Sequence, residues 1–348
     1  MNAPSIVNEL SVIYKHLEQK ELKDALQGIN TLLALQPNWA VSEKVTELTT
    51  NYQYMLHYLI EGEEDPEQKR VYDKLIRDIY TLAEDTAEQL LLQVVPSLFF
   101  DKIRNMEVRS LVTVDDYRSI ITKQADTLAF MDLLENGPEK ESRKRHTAIM
   151  HENTQQDLFY AIFASPRANE DFIGSCRNFV EDESIPKQDK ALFISALTMN
   201  ILQRFDILKI ELLLDFCKLP EAELSIRAII GIIPVFQVYK SRLELYPGSS
   251  DRLKLLSDDN TFNHRFIASI IGYIQAHQTE EITKKLNEEI YPKVMKIIWT
   301  NGWAKRGSMK KILNGGRFSM KRVLPIRWRN FRNCNRRVRM CFIPLFRN

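Results

Sequence analysis

Residues 185–202 read IPKQDKALFISALTMNIL, and residues 219–238 read LPEAELSIRAIIGIIPVFQV. Each stretch starts at a proline, and Pro186 and Pro220 stand 34 residues apart. A proline is pre-set for the first turn of a helix, and an acid in that turn, here Asp189 or Glu223, is favoured by the helix dipole. Between the two runs, Ile207, Leu208, Leu212, Leu213 and Phe216 predict a second helix. An apolar helix alternating with a second helix at a fixed period predicts a stack of helix pairs, each burying a face against the next. Residues 191–202 are apolar nearly all round, as an inner layer requires.

The same helical spacing runs outward to the N-terminus. Ile6, Val7, Leu10, Ile13, Tyr14 and Leu17 form one stripe; Leu22, Ala25, Leu26, Ile29, Leu32 and Leu33 form the next. The short joint between them predicts an αα-hairpin, closed at Pro37 with Trp39 packed over the turn. A third helix is expected from a cap at Ser42, with Val41, Val45, Leu48, Tyr52, Met55, Leu56 and Leu59 on one face. Beyond the acidic loop 61–66, Val71, Leu75, Ile76, Ile79, Leu82 and Ala83 carry another stripe. Thr113–Asp115 looks like a further start, for a run through Tyr117, Ile120, Ile121, Leu128 and Leu133. Asn136–Gly137–Pro138 is a stop. A final pair is expected at 262–277 and 279–298, the first member carrying Phe266, Ile267, Ile270, Ile271 and Ile274. No alternating strand pattern occurs in 1–300.

The proline-to-proline unit resembles paired-helix repeats of the HEAT or tetratricopeptide type, and the N-terminal hairpin resembles a degenerate tetratricopeptide unit. As a whole the chain is similar to uncharacterised helical-repeat proteins of Bacteroidetes bacteria, a resemblance that implies no catalytic residues. The expected architecture is therefore all-α: an α-solenoid of antiparallel helix pairs with a disordered or irregular basic C-terminal tail. The expected regions are a tetratricopeptide-like 1–136, a HEAT-like 139–298 and a tail from 299 to 348.

The chain has 348 residues, 44% hydrophobic and 27% charged, which excludes a wholly disordered protein. Four cysteines exclude a disulfide scaffold and suit a reducing compartment; with no secretory pattern at the N-terminus, a cytoplasmic location is expected. No run reaches 18 apolar residues, so no transmembrane segment is expected. The net charge of +2 hides an asymmetry. Residues 301–348 hold 14 Lys and Arg and no acid, which leaves 34 basic against 46 acidic residues in 1–300, a net of −12.

Chemistry-bearing motifs are absent from the sequence. The six histidines form neither H-x-x-x-H nor H-E-x-x-H, the cysteines form no C-x-x-C, and no glycine-rich phosphate loop or G-x-S-x-G occurs. Cys176 and Cys217 lie within apolar patterns and predict inert core thiols. The adjacent carboxylates Asp115–Asp116 and Asp258–Asp259 stand at expected helix starts and predict caps or a solvated loop. No metal or cofactor is expected. Tyr54 and Tyr58, four apart and off the buried stripe, are the candidate interaction surface for another protein or a peptide. A helical-bundle enzyme using Asp157, His151 and Arg167 is the rival class.

In the tail, Arg327, Arg329, Arg332, Arg336, Arg337 and Arg339 interleave with aromatics and are candidates for nucleic-acid contact if the segment is genuine. An anionic membrane surface is a further reading. The tail lacks helical or strand periodicity, holds three of the four tryptophans and loses every acid after Glu289. The favoured expectation is that it reads a helical C-terminus out of frame. Translation of the other two forward frames beyond codon 296 tests this, with Asp and Glu restored in one of them. The expected function is a non-enzymatic protein–protein interaction scaffold.

Overall fold

The computed structural model describes residues 3–61, 67–109, 112–133, 137–285 and 288–289. Among them are thirteen α-helices and no strand. The first six are α1 (Ala3–Glu18), α2 (Leu22–Leu35), α3 (Trp39–Glu61), α4 (Gln68–Val94), α5 (Leu98–Arg109) and α6 (Val114–Leu133). The next four are α7 (Pro138–Phe163), α8 (Glu170–Glu181), α9 (Lys187–Gln203) and α10 (Ile207–Phe216). The last three are α11 (Ala222–Leu243), α12 (Pro247–Ser257) and α13 (Asn260–Lys285). Met1–Ile270 forms one compact unit and Ile271–Asn348 a second, of which only the end of α13 and residues 288–289 are described.

Two large apolar cores lie within the first unit and share no residue. The first joins the stripes of α1, α2, α3 and α4 through Ile6, Ile13, Leu26, Ile29, Ile76 and Ile79. The second runs from Val114 to Phe262 and includes α9 and α11, where Phe193, Ile194, Leu197, Ala228, Ile229 and Val235 are sealed from solvent. A small third cluster, Phe99, Ile103, Phe163 and Ala164, links α5 to the end of α7. Burial is not confined to 191–202 and 224–238, where the pattern predicts it: α10 between them is buried at six of its ten positions, while Ile226 and Ile230 on α11 are exposed, because neighbouring helices cover only part of α11.

Packing in the second core joins both adjacent helices, as α10 with α11 and with α9, and alternate ones. α7 packs on α9 and α9 on α11; α8 packs on α10 and α10 on α12. α9 and α11 approach so closely at Gly231 that a Cβ there would stand 2.4 Å from Thr198 Oγ1. Successive corners are tied by polar contacts at a recurrent sequence separation. Asn200 Nδ2 donates to Phe163 O at 2.9 Å, Arg167 Nη1 to Phe205 O at 2.9 Å, the Ala168 amide to Asp206 at 2.7 Å, and Tyr239 OH to Ile201 O at 2.8 Å. These pairs are 37 or 38 residues apart. The spacing at the corners is longer than the 34 residues between the prolines because α11, at 22 residues, is longer than α9, at 17.

Three arginines stand at these corners with the same spacing: Arg167, Arg204 and Arg242. All three reach α4. Arg167 Nη2 lies 2.9 Å from Glu84 and 2.9 Å from Asp85, Arg204 Nε donates to Glu88 at 2.7 Å, and Arg242 pairs with Glu84. Glu84 and Glu88 are one helical turn apart, so α4 presents an acidic stripe to an arginine ladder.

Several local expectations change. Asn38, not Ser42, caps α3: its Oδ1 accepts from the Ala40 amide at 3.1 Å and from the Val41 amide at 3.4 Å. Leu56, Val71 and Ile120 are exposed, since each helix is covered over a narrower arc than its apolar pattern spans. The break expected at residue 278 is missing. α13 runs through it, with Thr279 Oγ1 bonded back to Gln275 O at 2.8 Å, because neither proline nor glycine interrupts the helix there. Phe262 is buried on α13, whereas Ile267, Ile271 and Ile274 are half exposed or more. Among the described residues only α11 is long and apolar enough to cross a bilayer by length and composition; it packs on α9 as a core helix.

Candidate functional site

A concavity forms where the chain turns from α2 into α3. Pro37 lacks an amide hydrogen and ends the α2 register, and Gln36 adopts an extended conformation. Asn38 then has two tasks. Its Oδ1 caps α3, and its Nδ2 donates to Gln89 Oε1 on α4 at 3.2 Å. The result is a cleft of about 450 Å³ between the turn and α4. Leu33, Leu90 and Thr86 form its buried floor; Gln36, Asn38, Gln89 and Gln93 supply amides, and Trp39 stands beside it 79% exposed.

Trp39 therefore does not pack over the turn, as its position suggested. It is the first residue of α3, ahead of the buried positions Val41 and Val45, and its ring has no covering helix. None of the lining residues is titratable. The cleft can stack an apolar group on an indole and exchange hydrogen bonds with amides, but its lining supplies no group for proton transfer.

Tyr54 and Tyr58 lie on the exposed side of α3, 61% and 53% accessible, together with Leu56 and Ile60. Helical rise places Tyr54 about 22 Å along the axis from Trp39, so the tyrosines are not part of the cleft. Tyr52 is half buried against the first core, as its stripe predicts. Arg327, Arg329, Arg332, Arg336, Arg337 and Arg339, with all of 299–348, lie outside the described residues.

The residues of the rival enzyme reading turn to different partners. His151 Nδ1 faces Gln124 Oε1 at 3.0 Å and its Nε2 lies 3.2 Å from the buried Asp189, while Arg167 is engaged with Glu84 and Asp85. Burial pushes the Asp189 carboxyl upward against the pull of His151. Cys176 and Cys217 are buried free thiols, each pushed up to about 12 by desolvation. Asp116 and Asp259 act as predicted at helix starts: Asp116 Oδ2 accepts from the Thr113 amide at 2.8 Å, and Asp259 Oδ1 from the Thr261 amide at 2.8 Å.

His16, Glu21 and Asp24 bring three potential ligand atoms within 4.8 Å of one another at the α1–α2 turn. Motif spacing misses this trio because the turn, with Lys20 at φ 62°, brings its members together. His16 Nδ1 is already paired with Glu21 at 2.7 Å, and the three are solvent-accessible, as surface polar groups commonly are.

Comparison of the chain with protein-family models, curated proteins and solved structures gave no match.

Proposed function

We propose that this protein is a non-enzymatic interaction scaffold that holds an extended peptide segment of a partner protein in the cleft between the α2–α3 turn and α4. One observation carries the reading: an uncharged, amide-rimmed cleft flanked by a tryptophan that is 79% exposed. Amides offer both a donor and an acceptor, which is what a peptide backbone presents. An exposed indole is the type of side chain that anchors such contacts. The outer face of α3, with Tyr54 and Tyr58, extends the same surface toward a larger partner.

Packing of α7 on α9 and of α9 on α11, and the corner ties at 37–38 residues, support a solenoid of antiparallel helix pairs. The free thiols of Cys176 and Cys217 support a reducing, cytoplasmic setting.

The test is selection of peptides from a random display library on the full chain, followed by fluorescence anisotropy. Trp39→Ala and Gln93→Ala are each expected to weaken the selected peptides, Trp39→Ala by about tenfold or more. Tyr54→Ala and Tyr58→Ala should leave short peptides unaffected. Peptides that bind wild type and both cleft variants equally would overturn the assignment of the cleft, and failure to retain any peptide would overturn the function.

A further inference from the structure

The arginine ladder occupies a seam between two cores that share no residue, with Arg242 over a ring of each. The first core belongs to α1–α4; the second belongs to α6–α13 and draws nothing from α4. No extensive backbone approach joins α4 to α8, α9, α10 or α11. The gap is spanned by long charged side chains and the rings beside them. Arg242 lies 3.8 Å from the centre of the Phe205 ring and 4.8 Å from that of Tyr80, and Arg77 lies 5.3 Å from the Tyr246 ring. Tyr14 OH donates to Glu84 at 2.9 Å, and Arg77 Nη1 donates to Leu245 O at 2.7 Å. Of the corner residues, Leu245 is the apolar side chain that reaches the first core.

Such a seam differs in kind from an apolar interface. Burying ion pairs costs desolvation that their attraction roughly repays, so the pairs hold geometry while adding little net stability. Satisfaction here is also incomplete: Nε and Nη2 of Arg242 are buried without a hydrogen-bond partner. Parting the seam would return three arginines and three carboxylates to water and uncover the faces of Tyr80 and Phe205 that Arg242 covers, leaving the rest of both apolar cores closed.

A pivot is present. α5 is bound to the end of α4 by Arg104, whose guanidinium donates to Leu92 O and to Val95 O. The cluster of Phe99, Ile103, Phe163 and Ala164 then joins α5 to α7. α1–α5 can therefore turn as a body about that cluster.

We infer that the Arg167–Arg204–Arg242 ladder on Glu84, Asp85 and Glu88 is a latch: α1–α4 swing open from the second core at this seam while both cores remain folded. The swinging block carries the cleft, since Gln89 and Gln93 line it from the helix that bears Glu84 and Glu88.

Hydroxyl-radical footprinting of the full chain tests the latch. The substitutions Glu84→Gln and Glu88→Gln, combined, remove two charges while keeping side-chain shape. Labelling of the seam rings Tyr80 and Phe205 should rise about tenfold, the factor equivalent to one modest charge-assisted contact. Phe179 and Phe193, stacked in the second core, should stay protected. Seam rings as protected as before, or core rings labelled in step with them, would overturn the latch. The wild-type chain gives a second test should the variant not fold. With rising denaturant its seam rings should label before Phe179 and Phe193; simultaneous labelling would show one cooperative body and overturn the proposal.

Discussion

Lys209 Nζ lies 2.7 Å from Asn200 Oδ1, and both side chains are sealed from solvent. The pair closes the corner that follows α7. Asn200 donates to the carbonyls of Phe163 and Ser165, and Lys209 donates to Ser165 Oγ at 2.8 Å and to Pro166 O at 2.7 Å. Two side chains, one on α9 and one on α10, thus satisfy the end of α7, where an unmet carbonyl would be costly.

Burial holds the Lys209 ammonium down to about 8, with Asp206 pulling the other way. Lys209→Met should cost about 1–3 kcal/mol at pH 7, because it strips partners from buried acceptors. The deficit should widen as pH rises. Between about 8 and the usual lysine range, the unfolded chain holds a proton that the folded chain has released, so raising the pH favours the folded wild type, and the variant lacks this gain. Urea melts of both proteins from pH 7 to pH 10 check this; parallel curves would contradict it.

Gly231 is the point where α9 and α11 come nearest. Gly231→Ala places a methyl group against Thr198 and should destabilise by about 1–3 kcal/mol, despite the better helix propensity of alanine. Thr198→Ala in the same chain should recover much of that loss. A thermal-melt double-mutant cycle measures the coupling, and additivity would place the strain elsewhere.

Cys176 and Cys217 should resist alkylation in the native protein at pH 8, because thiols held near 12 carry almost no thiolate. Both should react fully in denaturant. Peptide-resolved mass spectrometry of iodoacetamide-treated protein reads the two sites separately, and labelling of either under native conditions would contradict its burial.

The Asp182 carboxyl is held at about 2 by the Ser184 hydroxyl and by Arg118, whose Nε lies 2.5 Å away. A depressed carboxyl stabilises the fold above the ordinary carboxylate range, and that share is lost as pH falls toward 2. Asp182→Asn should therefore be less stable than wild type at pH 6, with the gap narrowing between about pH 4 and pH 2. Circular-dichroism melts across that range provide the check.

The helices were legible because a 3.6-residue stripe is a local property: Ile6 to Leu17, Leu22 to Leu33 and Leu224 to Val235 could be read as buried faces without knowing what covers them. The width of that cover was not legible. Leu56 and Ile120 fit their stripes and still face water, because exposure depends on where the neighbouring helices lie. The cleft escaped for a related reason. Gln36, Asn38 and Trp39 are distant in sequence from Gln89 and Gln93, and glutamines on a helix carry no pattern.

The ladder divides the two kinds of information most clearly. Arg167, Arg204 and Arg242 are spaced by 37 and 38 residues, and Glu84 and Glu88 by one helical turn, so both rows stand in the sequence. Alone, the sequence determined the helical character of the described residues, the apolar runs of α9 and α11 and the burial of Cys176 and Cys217, since hydrophobic periodicity is set residue by residue. Only the tertiary structure decided that the arginines meet α4. Pairing of charges across a seam depends on which corners the packed helices bring side by side, and charged residues on a helix surface read alike whether they face water or one another.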